Sequence, residues 1–346
     1  MADITSTRMS GSELRKRICD RLSSDLLAAD LQLSFLAAAL SSYRFDTVLR
    51  PVPPMFDNGT DDKNYKGIEM ALDALSEYGT LKDLKQGLIS QSTNNQTGPT
   101  NNQEETILKL IDWTINNKNV TVHTLEKSKF SEIKDLTKQS YHETPAPNYI
   151  FEVTYNDVLN AKFDELCNGK EIFYGYHGSR VENFHSILHF GLHSHMNKVA
   201  LYGEGTYLSS ELSVSMSYSP GGKAWESSLL GDTLSCVAVC QIIDHPSVKC
   251  QVKSSSEAGR SRSRSRASES IGGDVPDKYY VVQNNDALRL KYVLVYAQKS
   301  APKRFKEVSW MYEHRFILIM GFYMLILLAV GLANSKTFQS FWRKWR

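Results

Sequence analysis

Cysteine is scarce in this chain, and what there is forms no framework. Cys19, Cys167, Cys236, Cys240 and Cys250 are the only five among 346 residues. No C-x-x-C occurs, which excludes a disulfide-stapled scaffold and suits a reducing compartment. A surplus of one charge is also missing. Lys and Arg number 40 against 38 Asp and Glu, a formal +2, too near balance to make the chain a nucleic-acid binder by itself. No basic, apolar, small-residue leader opens the sequence, so nothing is seen that would translocate the N-terminal part, which is expected to face the cytosol. The sequons at Asn58, Asn95 and Asn119 are then accidental. No G-x-G-x-x-G opens a helix and no P-loop is present, which excludes a Rossmann dinucleotide site and P-loop phosphoryl transfer.

Long apolar runs are absent too, with one exception. Residues 316–335 read FILIMGFYMLILLAVGLANS without a charge, and at helical rise this run reaches across the roughly 30 Å of a bilayer core. Being apolar all round, it reads as one transmembrane helix rather than as a buried core helix. Basic residues stand on both sides, Lys303, Arg304, Lys306 and Arg315 before it and Lys336, Arg343, Lys344 and Arg346 after it, so charge does not orient it. Position does: with the bulk of the chain cytosolic, residues 336–346 form a short lumenal tail. Trp310, Tyr312, Phe341, Trp342 and Trp345 stand where interfacial aromatics sit.

Before the span, two textures follow one another. In residues 12–43, Leu22, Leu26, Ala29, Leu33, Leu36 and Leu40 recur at helical spacing, which predicts one amphipathic helix or a pair. Pro51, Pro53 and Pro54 stop it, and further helical patterns run from Ile68 to Ala74, Leu81 to Leu88 and Glu104 to Asn116. Residues 90–103 between the last two are too polar to bury anything. Residues 1–116 thus read as an all-helical domain. Short β-branched and aromatic runs then take over: Val120 to Thr124, Tyr149 to Tyr155, Ile172 to His177, Leu234 to Ile243, Lys278 to Val282 and Lys291 to Gln298. With helical spacing from Val181 to Phe190 between them, residues 119–304 read as a mixed domain, and the whole chain as α+β. Residues 253–273, which contain GRSRSRSRAS, read as a disordered, solvated insertion. The alternative for Arg260–Arg266 is a phosphorylatable segment with weak affinity for RNA or acidic partners.

Chemistry-bearing residues gather in two glycine-rich turns. Tyr176-His177-Gly178-Ser179-Arg180 follows a strand-like run, and Gly203-Glu204-Gly205-Thr206-Tyr207-Leu208 comes about thirty residues later; glycine at a strand end lets a ligand approach the backbone closely. His185 and His189 stand one helical turn apart with His193 and His195 after them, and Cys236 and Cys240 share a strand face. A structural zinc site needs four ligands at short loop spacings, which this set lacks, so no metal is expected.

Taken singly, His177, Tyr207, Tyr218 and Tyr279 read as a core histidine and strand-packing aromatics. Taken in order, YHGSR, GEGTYLS, a tyrosine eleven residues on and KYYVVQNNDALRLKYVLVY resemble the catalytic domain of the poly(ADP-ribose) polymerase family. With the helical N-terminal part and the apolar tail, the whole chain resembles that family's tail-anchored mono-ADP-ribosyltransferase branch. The resemblance implies an ADP-ribosyltransferase-type split β-sheet and NAD as co-substrate, with no metal. It places the ribose-hydroxyl contact on His177 and the nicotinamide amide on the Gly178 backbone, with Ser179 beside it. Tyr207 would flank the nicotinamide ring, Tyr218 would stack on its other face, and His193 to Tyr202 would form the donor loop. His177, Tyr207 and Tyr279 make the implied catalytic set.

The departure is Tyr279, where polymerising members carry a glutamate. A phenol is a neutral donor or acceptor where a carboxylate is an anion, so the resemblance implies transfer of a single ADP-ribose, to acceptor proteins at the membrane and to the chain itself. Glu204 and Glu211 are the carboxylates nearest in sequence. The alternative reading is a weakly active NAD- or ADP-ribose-binding membrane scaffold. Resemblance also points to the endoplasmic reticulum membrane and nuclear envelope, and to stress signalling there.

Overall fold

The computed structural model describes residues 10–59, 63–93, 102–139, 144–193, 201–251, 264–267, 269–299 and 314–334. The predicted N-terminal helix forms as a pair, α1 (Gly11–Ser24) and α2 (Leu26–Leu40), bent by 111°. Asp25 makes the break. It ends α1 and caps α2 by accepting the Ala28 N–H, and its carboxylate also takes the Thr124 N–H and hydroxyl, both at 2.6 Å. The short α3 (Phe45–Val48), α4 (Tyr65–Ser76), α5 (Leu81–Thr93) and α6 (Asn102–Ile115) complete the helical region.

The strands are β1 (Val120–Leu125), β2 (Tyr149–Tyr155), β3 (Ile172–Ser179), β4 (Thr206–Ser209), β5 (Gly222–Lys223), β6 (Thr233–Ile243), β7 (Val248–Lys249), β8 (Tyr279–Val282) and β9 (Leu288–Gln298). They form an antiparallel sheet in the order β1-β2-β9-β6-β3-β4-β8-β7, with β5 paired to β6. Between them lie α7 (Lys129–Leu136), α8 (Asp157–Cys167), α9 (Phe184–Phe190) and α10 (Leu212–Met216). β3 and β6 pair over eight residues, but β3 and β4 pair only at Tyr176↔Ser209. The sheet therefore parts between β3 and β4, and the two glycine-rich turns lie at the parting.

The chain divides into one unit through Lys299 and a second from Ser300. Helical and sheet regions belong to the same unit because α2 is buried on every side. Its predicted stripe, Ala29, Leu33 and Leu36, lies in the helical core, while Ala28, Leu31, Phe35 and Ala38 pack into the sheet's core with Val122, Phe184 and Val293. Phe35 stacks on Phe184 with ring centroids 5.1 Å apart. α2 thus serves as the central helix of both layers, where periodicity alone showed one face. A smaller cluster on the other side of the sheet gathers Phe130, Ile133, Tyr176, Val237 and Leu294.

Part of the insertion makes defined contacts. Arg264 pairs with Asp244, Ser265, Ala267 and Ser270 are buried, and Gly272 N–H donates to Leu201 O at 2.7 Å, while Arg266 and Ile271 stay exposed. An alanine and a small-residue turn within a basic run suffice to dock it. Arg260 to Ser263 lie outside the described residues.

In the second unit the described part is α11 (Arg315–Asn334). Its large apolar side chains, Phe316, Leu318, Phe322, Leu325 and Val330 among them, are exposed. Among residues whose side chains are described, its apolar stretch is Arg315–Gly331, and no single helix is long and apolar enough to cross a membrane. α1 and α2 together pass on length and composition, but the burial of α2 makes it a core helix.

Candidate functional site

β3 carries His177, Gly178 and Ser179 to the parting of the sheet, and β4 brings Tyr207 to the other side. His177 Nδ1 lies 2.9 Å from the Tyr207 carbonyl oxygen. A carbonyl only accepts, so the proton sits on Nδ1 and Nε2 presents a lone pair. Burial holds the imidazole below its ordinary pKa, with the bond to Tyr207 opposing, so near neutral pH the ring is uncharged. The result is an acceptor nitrogen with fixed orientation, suited to a ligand hydroxyl.

Gly178 is required by packing. A Cβ there would lie 1.8 Å from the Ser215 carbonyl oxygen and 2.9 Å from Tyr218 Cβ, so the end of α10 sits directly on this backbone. Ser215 Oγ donates to Tyr176 O at 2.9 Å, which shows the Tyr176 carbonyl turned away from β6. Alternation along a strand turns the Gly178 peptide groups the same way. A donor and an acceptor thus face the side from which β4 has parted, the pattern that reads a planar primary amide. Tyr218, 64% exposed, stands over this backbone and offers a ring face. Ser179 is held rather than free: its N–H donates to Ser219 Oγ at 3.2 Å and its Oγ accepts from Asn183 Nδ2 at 2.9 Å.

Tyr207 acts through its backbone and ring more than its hydroxyl. The hydroxyl donates to Gly203 O at 2.8 Å and accepts the Tyr202 N–H at 2.9 Å, and burial raises its pKa. It clamps the Tyr202–Gly205 turn. Gly203, at φ +97°, has no room for a Cβ, which would come within 2.5 Å of Ala267 Cβ; the ordered leg of the insertion buttresses this turn. Of the donor loop, only His193, Leu201 and Tyr202 fall among the described residues.

Tyr279 opens β8 opposite Ser209, which in turn stands opposite Tyr176. It is half-buried. Beside it, Lys278 reaches the buried Glu211 at 3.2 Å while its carbonyl accepts from Ser209 Oγ and Ser210 N–H. The structure thus joins His177, Gly178, Ser179, Tyr207 and Tyr218 by direct contact and holds Tyr279 on the adjoining strand. Ser215, Ser219 and Asn183, which fasten the turn, carry no sequence signal beyond being small and polar.

The histidine pair does other work. His185 Nε2 meets Pro51 O at 3.0 Å, His189 Nδ1 meets Asn117 Nδ2 at 3.0 Å, and their rings lie 4.8 Å apart beside Trp113. Burial pushes their pKa values down to about 3 and about 4. They fasten α9 to the helical region. Cys236 and Cys240 are fully buried in the apolar core, their thiols pushed far up by burial. Among the described residues no group of three or more His, Cys, Asp or Glu could hold a metal ion; His195 lies outside them.

Two family models match the chain. Residues 127–298 match the poly(ADP-ribose) polymerase catalytic domain, and residues 20–115 match the ARTD15 N-terminal domain. The chain is 44% identical over 320 residues to the human protein mono-ADP-ribosyltransferase PARP16, covering 92% of this chain and 94% of that protein. It is 43% identical over 323 residues to the mouse PARP16, covering 93% and 95% respectively. A more distant relative is the mouse protein mono-ADP-ribosyltransferase PARP8, 23% identical over 66% of this chain and 29% of that protein.

Proposed function

The chain belongs to the poly(ADP-ribose) polymerase family, and we infer that it is an NAD-dependent protein mono-ADP-ribosyltransferase that works at a membrane surface and modifies itself among its acceptors. The observation that carries this is the neutral His177, fixed by the Tyr207 carbonyl across the parting of β3 and β4 beside the Gly178 backbone. NAD supplies a ribose already bonded to a positively charged leaving group. When that bond breaks, its electron pair goes to the nicotinamide nitrogen, and the sugar cation is taken by an acceptor nucleophile that gives up a proton.

What remains for the protein is positioning and electrostatics. The Gly178 peptide groups hold the carboxamide, and Tyr218 stacks on the ring. His177 Nε2 accepts a ribose hydroxyl. A net hydrogen bond is worth about 1 kcal/mol and a stacked ring about as much, so the three contacts together orient the ring without holding it so tightly that product stays. Tyr279 places a phenol where a carboxylate would hold the hydroxyl of a growing chain, and transfer ends at one unit.

The membrane part of the reading rests on α11. From Phe316 on, α11 is uncharged and apolar, and such a stretch with its large side chains exposed is costly in water and stable in lipid. Its backbone helix of 20 residues, at 1.5 Å per residue, spans about 30 Å. With residues 316–335 spanning the endoplasmic reticulum membrane or nuclear envelope and 336–346 lumenal, the NAD site faces the cytosol. Acceptors are then proteins resident at or recruited to that membrane, a setting suited to stress signalling.

The test uses the full chain in detergent micelles, incubated with NAD and read by mass spectrometry for single ADP-ribose units and by nicotinamide release. Wild type carries one unit per site, and His177→Ala loses on the order of a hundredfold in kcat/KM, the cost of a polar contact and its geometry. Equal labelling of wild type and variant, or NAD binding without nicotinamide release, refutes the reading.

A further inference from the structure

Directly after Tyr218 comes a hairpin, β5 and the start of β6 joined by a tip from Ala224 to Asp232, and the tip is held from the far end of the chain. Asp30 of α2 is fully buried. Its Oδ1 accepts the Ser228 hydroxyl and its Oδ2 accepts the Leu229 N–H at 3.0 Å. Trp225 packs in the helical core and Leu230 in the shared core. Burial pushes the Asp30 carboxyl up, with the bonds from Leu229 and Ser228 opposing. A buried carboxylate stabilises less than an apolar residue of its size. What it supplies instead is direction, two acceptor oxygens that fix how the tip meets α2.

A continuous set of contacts leads from this tip to the site. At the hairpin's base Gly222 pairs with Leu234 and Lys223 with Thr233. Ser235 Oγ then donates to Ser219 O, and Ser219 Oγ donates to Ser215 O at 3.2 Å while taking the Ser179 N–H. Tyr218 is the residue between. Beyond the C-terminal end of α2 there is a second grip, which also ends on Ser179. Ser42 Oγ donates to Glu182 at 3.0 Å, Arg44 lies 3.7 Å from the same carboxylate, and the adjoining Asn183 holds Ser179 Oγ.

We propose that Asp30 is a positioning residue of the transferase: through the hairpin it sets where Tyr218 stands over Gly178, so that α2 fixes the width of the nicotinamide slot. This rests on the reading that Tyr218 stacks on nicotinamide. It makes the helical region part of the substrate site rather than an appended domain.

The test uses the full chain and three measurements: kcat and KM for NAD by nicotinamide release, affinity for benzamide, which carries only the ring and carboxamide, and affinity for ADP-ribose, which lacks them. In Asp30→Ala the KM for NAD and the benzamide Kd rise about tenfold, the scale of a misplaced binding group, while ADP-ribose affinity stays within about twofold. Asp30→Asn, which keeps an acceptor for Leu229 N–H and offers a donor to Ser228 Oγ, restores most of the loss. Ser228→Ala raises both values about threefold and decides the matter if Asp30→Ala does not fold. Unchanged benzamide affinity in either folded variant overturns the proposal. So does an equal loss of benzamide and ADP-ribose affinity, the mark of general destabilisation. Benzamide binding by a wild-type chain that releases no nicotinamide from NAD overturns the transferase reading and leaves the Asp30 comparison standing.

Discussion

Gly178→Ala is the sharpest perturbation of the site, because its consequence follows from two distances. The added methyl would stand 1.8 Å from the Ser215 carbonyl oxygen and 2.9 Å from Tyr218 Cβ. Ordinary carbon–oxygen contact needs about 3.3 Å, so β3 and α10 must separate by more than about 1 Å. Overpacking of this kind costs about 1–3 kcal/mol, and a displacement of about 1 Å at a binding group costs about a hundredfold in rate. Both partners that move are site residues: Ser215 ties α10 to Tyr176 O, and Tyr218 supplies the ring face. The expected result is a melting temperature lower by several degrees and kcat/KM for NAD lower by about two orders of magnitude. Gly87→Ala is the control, since α5 leaves open space at Gly87 and alanine in a helix is favoured over glycine by about 1 kcal/mol; it should melt slightly higher with unchanged kinetics. Thermal melts and nicotinamide release on the three proteins measure both. A Gly178→Ala chain with near-wild-type kcat/KM would refute the close approach of α10 on which the slot depends.

Three further outcomes follow from the same geometry. Tyr207→Phe removes the donor to Gly203 O and the acceptor of Tyr202 N–H, so KM for NAD should rise about tenfold with kcat within about threefold; a collapse of kcat with unchanged KM would instead make the hydroxyl chemical. His185 and His189 are held neutral, their folded pKa values about 3 and about 4 against 6.5 ordinarily. The unfolded chain therefore binds more protons from pH 6.5 down to about 3, and stability is lost as pH falls through that window; melting profiles should show it, and His189→Phe should flatten part of it. Ending the chain before Arg315 removes α11, and should leave nicotinamide release in solution unchanged while the chain moves out of the membrane fraction on cell fractionation. Retention there would show that another segment holds it.

Much of the helical region was legible because periodicity is local. Leu22, Ala29, Leu33 and Leu36 announced a buried stripe, and they do line the helical core. The strands from Val120, Tyr149, Ile172 and Leu234 were legible from β-branched and aromatic runs, within one to two residues at most ends. β4 was not read as a strand, because Gly203-Glu204-Gly205 looks like a corner and Thr206–Ser209 is only four residues long. Composition gives no sign of the contacts at Arg264–Ala267, since nothing in a basic run marks the one alanine that fits against Gly203.

By itself the sequence determined much of the helical region, the strands β1, β2, β3, β6, β8 and β9, the two glycine turns with His177 and Tyr207, the family, and the uncharged run in α11. Each of these is carried by neighbours along the chain, through side-chain period, turn chemistry or motif. Only the tertiary structure decided that α2 is buried on both faces, that His177 carries its proton on Nδ1, that Gly178 admits no side chain, and that Asp30 grips Ser228 from 198 residues away. Those depend on which surfaces meet once the chain is folded, and a pairing across such a distance leaves no period in the sequence to read.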